Sequence, residues 1–106
     1  MLGCNKAQDD LCKSLGAKFY ISVVDGERCI CFDCGNKFDV EISGTNKTGK
    51  NNLAKLYLWY DARICVKYIF DVPYRNIRAR VNELQQLVDK IISEGPINES
   101  VLHSTY

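Results

Sequence analysis

The spacing of apolar positions is helical at both ends of the chain and two-fold in between. Near the N-terminus Ala7, Leu11 and Leu15 recur at i+4. Asn5 stands ahead of them as an N-cap, and Gly16 follows as a residue that turns the chain away, so a short helix is predicted over residues 6–15. From residue 18 the period falls to two. Phe19, Ile21 and Val23 share one face of a strand, and Asp25-Gly26 is a strong hairpin signal. Residues 27–32 return with Arg28, Ile30 and Phe32 on one side and Cys29 and Cys31 on the other. The turn residues Asp33-Cys34-Gly35-Asn36 lead to residues 37–43, where Phe38, Val40 and Ile42 alternate with Lys37, Asp39 and Glu41. That alternation describes a strand with one solvated face.

Residues 44–52 form a polar loop, and a long alternation follows. Leu56, Leu58, Tyr60, Ala62, Ile64, Val66, Tyr68 and Phe70 share one parity; Lys55, Tyr57, Trp59, Asp61, Arg63, Cys65, Lys67 and Ile69 share the other. One long bent strand and a hairpin turning near Asp61-Ala62 both fit this pattern, and ordinary strand length favours the hairpin. The period then lengthens. Tyr74, Ile77, Val81, Leu84, Val88 and Ile91 fall at spacings that predict a helix from Pro73 to Ser93, with proline in its first turn and Leu87 and Ile92 widening the stripe. Eight apolar positions suffice for a sheet and for a second copy of the same helix, so a homo-oligomer through the 73–93 helix is expected. Residues 95–106 lose periodicity after Gly95-Pro96 and read as a tail or docking arm. The pattern as a whole is α+β in one domain, residues 1–106: a short N-terminal helix, an antiparallel β-sheet of four to six strands, and a long C-terminal helix on the sheet, at a dimer interface, or both.

Composition narrows the function classes. A chain of 106 residues, 46% hydrophobic, supports one core and leaves no room for separate cofactor and substrate domains. A net charge of +1 argues against binding to long nucleic acid. No apolar run approaches the roughly 18 residues of a membrane span. Met1-Leu2-Gly3-Cys4 resembles the end of a lipoprotein cleavage site, but no charged or apolar region precedes it, so a cytoplasmic protein is expected. In that compartment Cys4, Cys12, Cys29, Cys31, Cys34 and Cys65 remain thiols, packed mostly as small apolar groups.

The candidate chemistry is sparse. The loop Gly44-Thr-Asn-Lys-Thr-Gly49-Lys50-Asn51 departs from a phosphate loop at Asn51, where a hydroxyl is required, and a strand rather than a helix follows it. It retains Lys47, Lys50 and Lys55 without an acid, which suits an anion. Arg75, Arg78 and Arg80 crowd the start of the last helix, where cations oppose its dipole. At roughly 100° per residue Arg75 and Arg78 lie about 60° apart and can share one anion, whereas Arg80 is placed to pair with Glu83. Tyr57, Trp59 and Tyr74 offer rings for stacking on a base or for a protein interface. Cys29-x-Cys31-x-x-Cys34 with Cys65 could supply zinc ligands, but the first spacing is too tight for a zinc knuckle. His103 lies in the tail, and no nucleophile–base pair is apparent, so neither an enzyme nor a cofactor is expected.

These residues point to a small non-enzymatic protein that captures an anionic ligand, a nucleotide or nucleotide-derived signal. Arg75 and Arg78 would hold phosphate, Lys47 or Lys50 would close over it, and Trp59 or Tyr57, with Tyr74 nearby, would stack on the base. Small sequestering proteins that phages deploy against host defences share this economy of size. The alternatives are a protein–protein interaction module or inhibitor, and a cysteine-ligated zinc protein.

Overall fold

A computed structural model of the chain describes residues 5–46 and 52–102. The elements in order are α1 (Lys6–Leu15), β1 (Phe19–Val24), β2 (Glu27–Gly35), β3 (Phe38–Ser43), β4 (Leu53–Tyr60), β5 (Ile64–Pro73), a 3-10 turn at Tyr74–Asn76, α2 (Ile77–Ser93) and a second 3-10 turn at Glu99–Val101. The strands form one sheet in the order β1-β2-β3-β4-β5, each neighbouring pair antiparallel. The α+β class predicted from the alternation is the observed one.

The alternation also decides which face of the sheet α2 covers. Ile30, Val40, Ile42, Leu56 and Leu58 are fully buried, and they share one core with Ile77, Val81, Leu84, Val88 and Ile91 of α2. The apolar stripe of α2 is therefore used up inside a single chain. Of its large apolar side chains only Ile92 is exposed. The helix also starts later than Pro73. That proline, with ψ 145°, ends β5, and Tyr74–Asn76 turn the chain before α2 begins. Beyond α2 the chain docks back: Ile97 packs on the core and Leu102 is buried in it.

Two further expectations change. In α1 the inward face is Gln8, Cys12 and Leu15, whereas Ala7 is exposed and Leu11 only partly buried. The helix is rotated because the Gln8 amide has partners below it. Its Nε2 donates to the Arg28 carbonyl (2.8 Å) and to Thr45 Oγ1 (2.9 Å), and its Oε1 accepts from Arg28 Nη1 (2.8 Å). In β5 two bulges, opposite the Ala54–Leu56 and Leu58–Trp59 steps, each insert one residue and reverse the parity beyond it. Tyr68 and Phe70 thus leave the face of Leu56 and Leu58 and join Tyr57, while Ile69 and Val72 turn toward the core.

The hairpin reading of residues 53–73 is the correct one. Asp61 (φ 54°) and Ala62 (φ 56°) both occupy the left-handed region, and Arg63 N–H donates to the Tyr60 carbonyl at 3.1 Å. That is the primed turn whose twist matches its flanking strands. Among the described residues no helix is long and apolar enough to cross a membrane.

Candidate functional site

With both helices contributing to one core, the other face of the sheet has no described element on it. Its residues are those that alternate with the core: Tyr20, Cys29, Cys31, Asp39, Glu41, Tyr57, Trp59 and Cys65, with Tyr68 and Phe70 brought over by the bulges. Tyr57 sits at the centre of an aromatic cluster. Its ring lies 6.4 Å from Trp59 and 5.8 Å, edge-on, from Phe70, and Phe70 lies 4.8 Å from Tyr68. Tyr68 is 59% exposed and Phe70 47%. The Lys55 ammonium stands 5.5 Å over the Phe70 ring, a cation–π arrangement.

Beside this cluster the sheet is hollow. Val24 and Asp25 at the β1–β2 turn and Ala62 at the β4–β5 turn belong to diagonally opposite corners, yet they line one trough of about 260 Å³ with Cys31, Asp39, Glu41 and Trp59. Sheet twist, which raises one diagonal pair of corners toward the same side, accounts for this shape. Trp59 Nε1 donates to Glu41 Oε1 at 3.1 Å. Asp39 accepts no hydrogen bond from a described residue. Burial, and next the Asp33 charge, push the Asp39 carboxyl above its ordinary value. Burial pushes Glu41 the same way against the Trp59 hydrogen bond, reinforced by the charges of Glu27, Asp25 and Asp39. The lining holds three acids and no cation.

The sequence-predicted residues divide between the two sides of the sheet. Tyr74, Arg75 and Arg78 come together in a groove of about 340 Å³ with Leu11, Ser14 and Leu15 of α1, on the helix side. There Arg78 Nη2 donates to the Ser14 carbonyl, Tyr74 Oη donates to the Gly44 carbonyl at 2.5 Å, and Arg75 bonds to no described residue. Arg80 is paired with Glu83 at 2.9 Å. Tyr57 and Trp59 alternate with core residues and so face away from that groove. Arg75 and Trp59 therefore stand on opposite sides of the sheet. Lys47 and Lys50 lie outside the described residues, as do Cys4 and His103.

The cysteines are also divided. Cys34 follows Ile30 and Phe32 into the helix-side core, whereas Cys29 and Cys31 lie on the open side. Burial first, then neighbouring carboxylates, push Cys29, Cys31 and Cys34 up to about 12. Among the described residues no group of three or more His, Cys, Asp or Glu side chains is placed to hold a metal. Asp39, Glu41, Tyr68 and Phe70 were not among the candidate residues read from the sequence. The acids read as an ordinary solvated face, and the aromatics were assigned the core parity.

Comparison with protein-family models, with curated proteins and with solved structures gives no match.

Proposed function

We propose that the chain is a non-catalytic interaction module whose working surface is the open face of the sheet and whose partner is another protein. The observation that carries this reading is the exposure of Tyr68 and Phe70 within a contiguous cluster that also holds Tyr57 and Trp59, on a face no described element covers. Aromatic side chains supply large apolar area at little cost in rotamer entropy, and interfaces concentrate their binding energy in them. The acids beside Trp59 argue against nucleotide phosphate there, since Asp39 and Glu41 already repel further negative charge. The test is site-specific photocross-linking in the cells that make the protein, with the photoreactive residue at Tyr68 or, as a control, at exposed Ala79 on α2. A discrete protein adduct from position 68 and none from 79 is expected. No adduct, or the same adducts from both positions, would refute the reading.

A second reading, capture of a small phosphate-bearing ligand such as a nucleotide, is favoured by Arg75. This guanidinium is unpaired among the described residues and lines a groove with Arg78 and Tyr74. Calorimetric titration with nucleotides should then give heat that Arg75→Ala/Arg78→Ala abolishes. No heat from the parent protein, or equal heat from both, removes this reading.

A further inference from the structure

We infer that the partner inserts a cationic side chain, arginine before lysine, into the trough between Asp39, Glu41, Asp25 and Trp59. The inference rests on the open-face reading and names the chemistry that face selects.

Several other charged side chains of the sheet and its turns have partners within the chain. Glu27 accepts from Ser43 Oγ and Gly44 N–H, both at 2.9 Å. Arg28 is held by Gln8 and by Asp9 at 2.7 Å. Asp33 accepts from Gly35 N–H at 2.8 Å, and Arg63 is shared between Asp61 and Glu99. Asp39 and Glu41 in the trough differ in being half-buried without a cation. Asp39 accepts from no described residue although it is half-buried, and Glu41 is bonded only through Oε1. Partly dehydrated carboxylates facing one hollow without a cation are unfavourable in the isolated chain and become favourable when a cation arrives.

The shape specifies the cation further. The hollow is roughly 260 Å³, room for one long side chain rather than a strand. The Trp59 ring borders it, so an incoming cation gains ring contact as well as carboxylates. Because the indole N–H occupies Oε1 of Glu41, Oε2 and the whole Asp39 carboxylate are left to accept. A planar guanidinium serves two carboxylates through its forked donors while lying against an indole; an ammonium serves them as a point charge. The exposed Tyr68 and Phe70 beside the trough would hold the apolar residues flanking that arginine.

The test is titration of the full chain with capped Ser-Arg-Ser-Arg-Ser peptide, its lysine and glutamate counterparts, and spermidine, up to millimolar concentration. Fluorescence of Trp59, the sole tryptophan, and the NMR shift of its indole N–H report occupancy. The arginine peptide should shift both signals and bind more tightly than the lysine peptide, and the glutamate peptide should shift neither. Asp39→Asn/Glu41→Gln should weaken the arginine peptide roughly tenfold or more, with the melting temperature not lowered. Binding of the glutamate peptide as tight as that of the arginine peptide, unchanged binding in the double variant, or spermidine outcompeting the peptide at equal charge would overturn the proposal. If the arginine peptide does not bind while position 68 still cross-links a protein, the open-face reading stands and the cationic partner is wrong. If both experiments are silent, both fall.

Discussion

Replacing Gln8 by methionine tests whether the polar lock between α1 and the sheet holds the fold. The two side chains have similar length and flexibility, so the change removes hydrogen bonds with little change in packing. Gln8 is 1% exposed and makes three side-chain bonds: one accepted from the Arg28 guanidinium, one donated to the Arg28 carbonyl and one donated to Thr45 Oγ1. The carbonyl needs that donor because the β2–β3 ladder ends at Ile30↔Ile42, two residues short of Arg28. A hydrogen bond to a charged donor contributes about 1.5–3 kcal/mol and each neutral one about 1 kcal/mol. Burying a thioether in place of an amide returns about 1 kcal/mol. The expected loss is therefore about 2.5–4 kcal/mol, a large fraction of the 5–15 kcal/mol typical of a domain. Equilibrium urea unfolding followed by Trp59 fluorescence measures it, with an unchanged m-value showing that the same surface unfolds. Gln8→Glu should also destabilise, because it keeps the Arg28 contact but turns an oxygen toward the Arg28 carbonyl. Lys6→Ala, which breaks only the exposed pair with Asp10 at 2.8 Å, should leave the midpoint unchanged. A Gln8→Met loss below about 0.5 kcal/mol, the range of ordinary surface substitutions, would refute the reasoning.

The trough acids should cost stability in the free protein. Asp39 has a folded pKa above its unfolded value, so its ionised form is disfavoured by folding at neutral pH, and the penalty is relieved as pH falls through the folded pKa toward 3.8. Asp39→Asn should therefore raise the urea midpoint at roughly pH 7, with the gain shrinking toward pH 4; a lowered midpoint at neutral pH would show that Asp39 has a favourable partner. The thiols should differ in rate. In folded protein treated with iodoacetamide near neutral pH, peptide mapping should find Cys65 modified well before Cys29, Cys31 and Cys34, which are buried and pushed up to about 12. Labelling of Cys31 as fast as Cys65 would mean that the trough floor is open to reagent.

Elements whose local signals agreed were legible in the amino-acid sequence. Asn5 caps α1 through Gln8 N–H at 3.0 Å, Asp25-Gly26 turns β1 into β2, and the five apolar positions from Ile77 to Ile91 pack as one stripe. The errors arose where a single residue overrode a period. A bulge near Val66 moved Tyr68 and Phe70 to the opposite face and a second at Asp71 (φ 58°) returned Val72 to the core, and Asp71 is not the glycine that would announce a left-handed residue. The Asp61-Ala62 turn was legible from strand length alone, since alanine gives no sign that it will adopt φ 56°. Gln8 was missed because helix periodicity counts apolar residues, and this inward position is polar. The candidate site suffered most. Arg75, Arg78 and Trp59 are neighbours in an aromatic, basic stretch of sequence, but a strand sends alternate residues to opposite faces and separates what the linear order suggests is one site.

The two faces of the sheet obey different rules. On the helix side apolar positions are filled from both layers and the buried amide of Gln8 bonds through both its oxygen and its nitrogen, although Gln85 Oε1 on α2 is buried without a partner among the described residues. On the open side apolar rings stay in solvent, and among the described residues Asp39 has no side-chain partner and Glu41 only the Trp59 indole. Neither feature helps a small domain fold, and each is readily removed by substitution, because exposed aromatics and unpaired half-buried acids lie outside the core. Both occur together on the face that no described element covers, where the twist also forms a hollow. A surface that is costly to the free chain in two independent ways gains in both at once when a partner covers the rings and neutralises the acids. Solubility or packing alone would call for only one of these features, and this coincidence is the physical ground for placing the function on this face.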